Sequence, residues 1–494
     1  MKEDPDDSVP PANRDQKDLG KSFVRSVVWT GVAKSVSQLL GWISTFVIAR
    51  LLTPEDYGLF GMASVFLGLV TLVSESGIGI TIVTLRSLDS EQVAQFHTLA
   101  VLLGFAGFLV CAAFAVPLGW FFHSPELPVI LLVLGTSFPL SGLRVVPGAL
   151  LQQDLRFKLL GMLEAVNVII LSVSMVLLAM AGFRYWTLVL GSILSTTVTS
   201  VLTVWYRPQR FRLPRWTSLR AALHFTKYQL GGNLLWYAYS NSDAAIAGRL
   251  LGKTNLGVYS LALSIARSMP EKILAMITRV TPAYFSILQD NPATLKRYLL
   301  RLTEILSIIT FPMLFGLAVV ADEFVALVLG AQWLGVVEPL RLLVIYAAMT
   351  STSPLVSRVL TVRGQNQFLF RVAVVLVIVM PISFIIGSAW GPTGIAAAGV
   401  IVYPLTRIPV FRCLAKNIDV SRKEYFSAFW PAISASAAMV LAVILLKALI
   451  APDMQLVVRL LLEVLCGAAV YVGVVLAFHR HRIQILLQFR NAWT

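Results

Sequence analysis

Fourteen apolar runs, each about 20 residues long, follow one another along this chain and leave it few ways to fold. A helix of that length crosses a hydrocarbon layer of about 30 Å with its backbone bonds satisfied internally, whereas a barrel strand alternates apolar and polar residues over about 10. The runs here do not alternate. The expected fold is therefore all-α and integral to a membrane. Spans fall near 27–49, 58–83, 97–121, 127–150, 160–181 and 184–205, then 225–249, 256–282, 298–320, 336–360, 368–389, 392–414, 426–450 and 455–478. Composition agrees. Of 494 residues 57% are hydrophobic and only 13% charged, where a soluble domain carries about 25% charged. The mean hydropathy is +0.79, and the surplus apolar surface has to face lipid.

The chain also repeats itself. Ala49-Arg-Leu-Leu-Thr-Pro-Glu-Asp-Tyr-Gly-Leu-Phe-Gly-Met-Ala63 returns 199 residues later as Gly248-Arg-Leu-Leu-Gly-Lys-Thr-Asn-Leu-Gly-Val-Tyr-Ser-Leu-Ala262. Arg50 falls on Arg249, Gly58 on Gly257 and Phe60 on Tyr259 without a gap. Solenoid repeats have periods of about 20 to 50 residues, so this one marks two halves. In membrane proteins such halves form transporters that rock around a central site. The expected division is a tail over 1–20, a first lobe over 21–206, a basic linker over 207–224, a second lobe over 225–415, and a last helix pair with its tail over 416–494.

Short-loop Lys and Arg mark the cytoplasmic side. Lys17, Lys21 and Arg25 precede span one, and Arg207, Arg210, Arg212, Arg215 and Arg220 follow span six. Arg412, Lys416, Arg422 and Lys423 follow span twelve, and Arg480, Arg482 and Arg490 lie in the tail. Both termini are expected in the cytoplasm. The net charge of +15 then reflects topology, since a nucleic-acid footprint would gather its basic residues on one soluble face. Residues 1–20 carry no apolar core and read as a disordered tail. Cys111, Cys413 and Cys466 are scattered through separate spans and read as packing residues. Residues 320–335 are expected to form a short amphipathic segment with Trp333 at the interface. No motif of nucleotide, metalloprotease or serine-hydrolase chemistry is present. No loop is large enough to suggest an extramembrane enzyme domain, so no catalytic residue or metal ligand is expected.

Ionisable groups inside spans cost about 2.5 to 3.5 kcal/mol each at a helix centre and call for a wet interior or a partner. Lys34 lies in span one, Glu75 in span two, Arg144 in span four and Asp243 in span seven. Arg267, Glu271, Lys272 and Arg279 lie in span eight, and Arg407 in span twelve. Arg267 and Glu271 are one helical turn apart, and an ion pair between them is the plainer reading. Arg341 and Arg358 lie near span ends, where snorkelling to headgroups suffices. The repeat carries Lys34 onto Asn233 and Ser44 onto Asp243. Lys34, Arg144, Arg407, Arg267 and Asn233 are the expected lining of a cavity for an anionic cargo. Asp243, Glu75 and Glu271 are candidates for holding a proton or sodium ion. Arg50 and Arg249 recur, each followed by Leu-Leu and a turn holding Gly58 or Gly257, and are expected to be architectural.

The 49–60 run, Pro147-Gly-Ala-Leu-Leu-Gln-Gln-Asp-Leu-Arg-Phe157-Lys and Leu327-Val-Leu-Gly-Ala-Gln-Trp333 together resemble the bacterial polysaccharide exporters of Wzx type. These form the colanic-acid and exopolysaccharide branch of the multidrug/oligosaccharidyl-lipid/polysaccharide (MOP) superfamily. The resemblance implies two six-helix lobes in a V plus a C-terminal helix pair in the bacterial inner membrane. It implies that an undecaprenyl diphosphate-linked oligosaccharide is flipped to the outer leaflet, with membrane lipids and the pathway's glycosyltransferases and polymerase as partners. No cofactor is implied beyond a proton or sodium gradient. A multidrug exporter of the same superfamily, favouring cationic cargo, and a membrane polymerase or ligase are the rival readings.

Overall fold

The computed structural model describes residues 40–75, 78–84, 88–215, 231–278, 285, 288, 290–450 and 454–480. Among these residues the regular elements are helices, and ten helical stretches are long and apolar enough to cross a membrane. Three of the ten, Leu127–Gln153, Ala331–Val362 and Asn366–Ile418, each hold more than one helix. Contacts divide the chain into two compact units, one of residues 1–52 and 66–233, the other of 53–65 and 234–494.

The first unit contains α1 (Leu40–Leu51), the C-terminal part of α2 (Pro54–Glu75) from Phe66 on, α3 (Ile78–Thr84), α4 (Ser90–Phe122), α5 (Leu127–Gly135), α6 (Ser137–Gln153), α7 (Phe157–Met180) and α8 (Trp186–Tyr206). A capping box between Asp89 and Gln92 starts α4, satisfying two of the helix's free amides. Helices α4 and α6 approach closely because Gly104 faces the Phe138 carbonyl and Gly142 the Ala100 carbonyl. Side chains there would separate the backbones. Ile82, Phe96, Ala100, Val146 and Leu150 form the core beside them. The α7–α8 hairpin is joined by Asn167, which donates to Thr199 at 2.9 Å and accepts from Ser195 at its carbonyl at 3.1 Å. Buried polar bonds of this kind hold helices together where lipid supplies no hydrophobic drive.

The second unit begins with the N-terminal part of α2, up to Val65, and resumes at Leu234 within α9 (231–240). It continues through α10 (Ser242–Thr278), α11 (Pro292–Val319), α12 (Ala321–Phe324), α13 (Val337–Ser351), α14 (Ser353–Val362), α15 (Asn366–Gly387), α16 (Gly391–Ile418), α17 (Arg422–Ser427), α18 (Trp430–Leu449) and α19 (Leu456–Phe478). Its main core packs Leu295, Leu299 and Leu306 of α11 against Leu355 and Val359 of α14 and Val410 and Leu414 of α16. Helices α15–α16 and α18–α19 are hairpins, and α18 lies on α11.

The two copies of the repeat meet each other in this unit. Gly58 in α2 lies against the Lys253 carbonyl, and Gly257 in α10 lies against the Pro54 carbonyl. A Cβ at either position would overlap backbone atoms, so the residues are glycine because the helices cross there. This corrects the expectation that Gly58 and Gly257 sit in turns: both lie inside helices. Lys253 and Glu55 pair across the crossing at 2.6 Å, and the Tyr237 hydroxyl donates to the Val65 carbonyl at 2.8 Å.

Trp333 also departs from expectation. It is fully buried, with its ring edge-on to Tyr57 at 5.2 Å, because residues 321–336 fold into α12, a π turn and a 3-10 turn packed on α10 and α13. Burying the indole inside the protein outweighs its preference for the membrane interface.

Candidate functional site

The polar centre of the second unit is built by a chain reversal. Asp243 is the second residue of α10, and in a straight helix Tyr259, sixteen residues on, would stand about 24 Å away. Gly252, at φ 79° and ψ 178°, breaks the helix in a conformation open essentially to glycine alone. The returning segment brings the Tyr259 hydroxyl to donate to Asp243 Oδ2 at 2.8 Å. The Ala244 amide donates to Oδ1 at 2.8 Å, and Arg267 Nη2 stands 4.0 Å from Oδ2. Asp243 is only 2% exposed, so its carboxylate is held by these partners instead of water. The partner of Arg267 is thus Asp243, and Glu271 is exposed.

Tyr346 of α13 connects this centre to a second one. Helix α13 packs on α10, and the Tyr346 ring meets that of Tyr403 on α16 edge-on at 5.3 Å. Gly399, one turn before Tyr403, leaves space for the Tyr346 ring. The Tyr403 hydroxyl shares a 2.6 Å hydrogen bond with Ser353, and the Arg407 guanidinium lies 4.5 Å from the Tyr403 ring centroid. A cation held on an aromatic face in low dielectric gains about 2 kcal/mol. Arg407 Nε is buried without a hydrogen-bond partner, so part of the donor fork remains unused.

Arg407 lines a cavity of about 790 Å³. Its walls are mostly apolar and aromatic, Phe311, Phe315, Phe429 and Ile433 among them, and the exposed Arg412 and Arg422 join Arg407 in the lining. Phe311 and Phe429 stack at 6.0 Å. A largely apolar cavity whose lining includes three arginines suits an amphipathic anion, since apolar walls take hydrocarbon and guanidinium forks take phosphate oxygens.

The other expected site residues are dispersed. Lys34 lies outside the described residues, and so does the side chain of Glu75, the last residue of α2. Arg144 is half-buried in α6 of the first unit, and Asn233 is half-buried in α9. Arg50 is exposed at the end of α1, and Arg249 is half-buried ahead of the Gly252 break. Arg341 pairs with Glu338 at 2.7 Å and Asp322 at 2.5 Å, which accounts for its charge without snorkelling. Sequence reasoning missed Tyr259, Tyr346 and Tyr403. An aromatic one turn before an intramembrane arginine, as Tyr403 stands to Arg407, is the signal that was available.

Comparison with known proteins places this geometry. The family described as "Polysaccharide biosynthesis protein" matches residues 47–338. The chain is 24% identical to the lipopolysaccharide biosynthesis protein WzxC of Escherichia coli, over 83% of this chain and 85% of that protein. It is 24% identical to the succinoglycan biosynthesis transport protein ExoT of Rhizobium meliloti, over 81% and 79%. Among solved structures, the lipid II flippase MurJ in an inward closed conformation superposes with a TM-score of 0.73 at 14% identity, covering 92% of this chain and all of that one. An inward-facing multidrug-resistance MATE transporter of the MOP superfamily superposes with a TM-score of 0.59 at 14% identity, over 79% and 99%. The fold is that of the MOP superfamily, and the chain is a multi-pass membrane protein.

Proposed function

The chain belongs to the family of polysaccharide biosynthesis proteins, and from that premise we propose that it is a flippase. Its cargo is a polysaccharide repeat unit linked through a diphosphate to a polyprenyl lipid such as undecaprenol. It moves this cargo from the cytoplasmic to the outer leaflet of the bacterial inner membrane by alternating access. No covalent bond of the cargo changes. The observation that carries the reading is the cavity of the second unit, where Arg407, Arg412 and Arg422 stand on aromatic and aliphatic walls. A cationic drug would meet repulsion there, whereas a lipid diphosphate finds both charge and hydrocarbon. The names of WzxC and ExoT support the polysaccharide pathway.

The finer assignments belong to the same reading. Residues 21–206 and 225–415 form the two lobes, with 207–224 as linker, 416–494 as an added helix pair with its tail, and both termini cytoplasmic. Arg407 and Arg267 supply positive potential in the second lobe, and Arg144 and Lys34 in the first. Asp243, bonded to Tyr259 and 4.0 Å from Arg267, is the group best placed to exchange a proton or sodium ion. A proton on Asp243 releases Arg267 to an anion, which gives the gradient a route to the cargo.

Arg407→Glu, expressed at the normal level in cells lacking the native protein, is expected to stop polysaccharide production and to leave lipid-linked repeat units on the cytoplasmic leaflet. Purified protein in liposomes is expected to move a fluorescent lipid diphosphate-oligosaccharide between leaflets without altering it. Unchanged production in the variant would reject the cavity, and a covalently extended glycan would support a polymerase instead.

A further inference from the structure

Four ionisable side chains outside the transport site close a ring of alternating charge within the second unit. Lys447 Nζ stands 2.5 Å from Glu323 Oε2, and Arg459 Nη2 stands 3.1 Å from Glu323 Oε1. Arg459 Nε lies 3.1 Å from Glu463 Oε1, and Lys447 Nζ lies 3.7 Å from Glu463 Oε2. Two acids face two bases, so the ring is neutral. The Glu463 side chain is completely buried and that of Glu323 is 6% exposed. An unpaired charge at such a site costs several kcal/mol, so each member depends on the others.

The ring joins three elements. Glu323 lies in α12, directly after α11; Lys447 is in the last turn of α18; Arg459 and Glu463 are in the first two turns of α19. It therefore pins the turn end of the α18–α19 hairpin to the end of α11. Further along the hairpin Tyr471 donates to the Ile308 carbonyl at 2.7 Å, and Ala435, Met439 and Val475 pack nearby. Glu323 also lies near the start of the 321–336 run, which ends beside the repeat crossing. Trp333 in that run packs on Tyr57, the neighbour of Gly58.

We propose that the charge ring is the fastening of the C-terminal helix pair, and that residues 321–336 are a strap linking that pair to the Gly58–Gly257 crossing. Helices α18 and α19 then move as one body with the crossing. Because α18 also supplies Ile433 to the cavity wall, the ring holds the far end of a helix that shapes the cavity. Fourteen residues of helix separate Ile433 from Lys447, about 21 Å. The fastening does not depend on what the cavity carries.

The test is amide hydrogen exchange of the full chain in lipid nanodiscs. Glu463→Gln and Lys447→Met each leave a buried charge uncompensated and are expected to speed exchange about tenfold or more over α18, α19 and residues 321–336. Glu463→Gln with Lys447→Met leaves the neutral Glu323–Arg459 pair, which still joins α12 to α19. Its exchange is expected to return to within about threefold of the parent. Trp333→Ala is expected to speed exchange over residues 54–65 while the α18–α19 hairpin stays protected. If the single variants yield no folded protein, the paired variant still folds under this proposal. Unchanged exchange in the single variants, a paired variant as damaged as the singles, or a Trp333→Ala protein with normal protection over 54–65 would overturn it.

Discussion

The two copies of the repeat solve one problem with different chemistry. Both break a helix at the same register, since Thr53 and Gly252 are 199 residues apart. The first copy breaks through an N-cap: Thr53 donates its hydroxyl to Asp56 at 2.8 Å and accepts the Asp56 amide at 3.3 Å, with Pro54 opening α2. Proline at the first helical position and a hydroxyl cap are a helix start written in side chains. The second copy breaks through Gly252 at a positive φ, a stop written in the backbone. The residues around the break diverge as well. Asp243, Tyr259 and Arg267 of the second copy correspond to Ser44, Phe60 and Gly68 of the first. The bonded acid, its phenol donor and its basic partner are thus replaced by a small hydroxyl, an aromatic without a donor and a glycine. Shape is kept in both copies while the bonded acid–phenol–arginine centre is confined to one, so the break does not depend on that centre.

The strongest way to break this comparison is at the point the copies share. Gly58→Val and Gly257→Val each drive a side chain into the opposing carbonyl, in helices with no freedom to separate. Overpacking costs about 1–3 kcal/mol even where only side chains yield; here backbones must move, and loss of the folded monodisperse species in detergent chromatography is expected for both. Gly148→Ala in α6, with open space around its Cβ, is expected to leave the protein intact or slightly stabilised. Next in size is Asp243→Ala. It orphans the Tyr259 hydroxyl and leaves Arg267 without its acid, and a loss of about 2–3 kcal/mol is expected after allowing for the partial exposure of Arg267. A thermal melt should show it. Ser44→Ala, the same change in the other copy, is expected to cost under about 1 kcal/mol. Equal costs at the two positions would remove the asymmetry argued above.

Much of this architecture was legible in the sequence, and the limits have physical causes. Apolar run length reports helices because lipid leaves the backbone no other solution. The repeat was visible as well, but not that its copies touch, because a glycine that turns a chain and a glycine that admits a second helix look alike locally. Trp333 was misplaced for a similar reason: the preference of indole for the interface is a surface rule, and Tyr57, 276 residues earlier, overrides it. Arg407 was recognisable as a charge in a span, yet the cavity depends on helices α11, α14, α16 and α18 meeting around it. The charge ring was invisible, since Glu323 and Lys447 are 124 residues apart and no local pattern couples them.

The smaller predictions sharpen the contrast at the break itself. Gly252→Ala forces a Cβ into a conformation that L residues rarely adopt, and although nothing lies within 4 Å of that Cβ, strain alone is expected to cost about 1–3 kcal/mol. Thr53→Ala is expected to cost about 1 kcal/mol, the usual value of a lost N-cap, because Pro54 still sets the first helical φ and Asp56 still accepts from the residue-53 amide, now at 3.0 Å. Thr53→Ser keeps the hydroxyl and should recover most of that loss. The pair of melts separates the two devices: the side-chain break is rescued by a chemically similar residue, while the backbone break is rescued by none except glycine. If Gly252→Ala proves as mild as Thr53→Ala, the positive φ at Gly252 is a relaxed feature, and the reach of Tyr259 to Asp243 has to be set by the Gly58–Gly257 crossing instead.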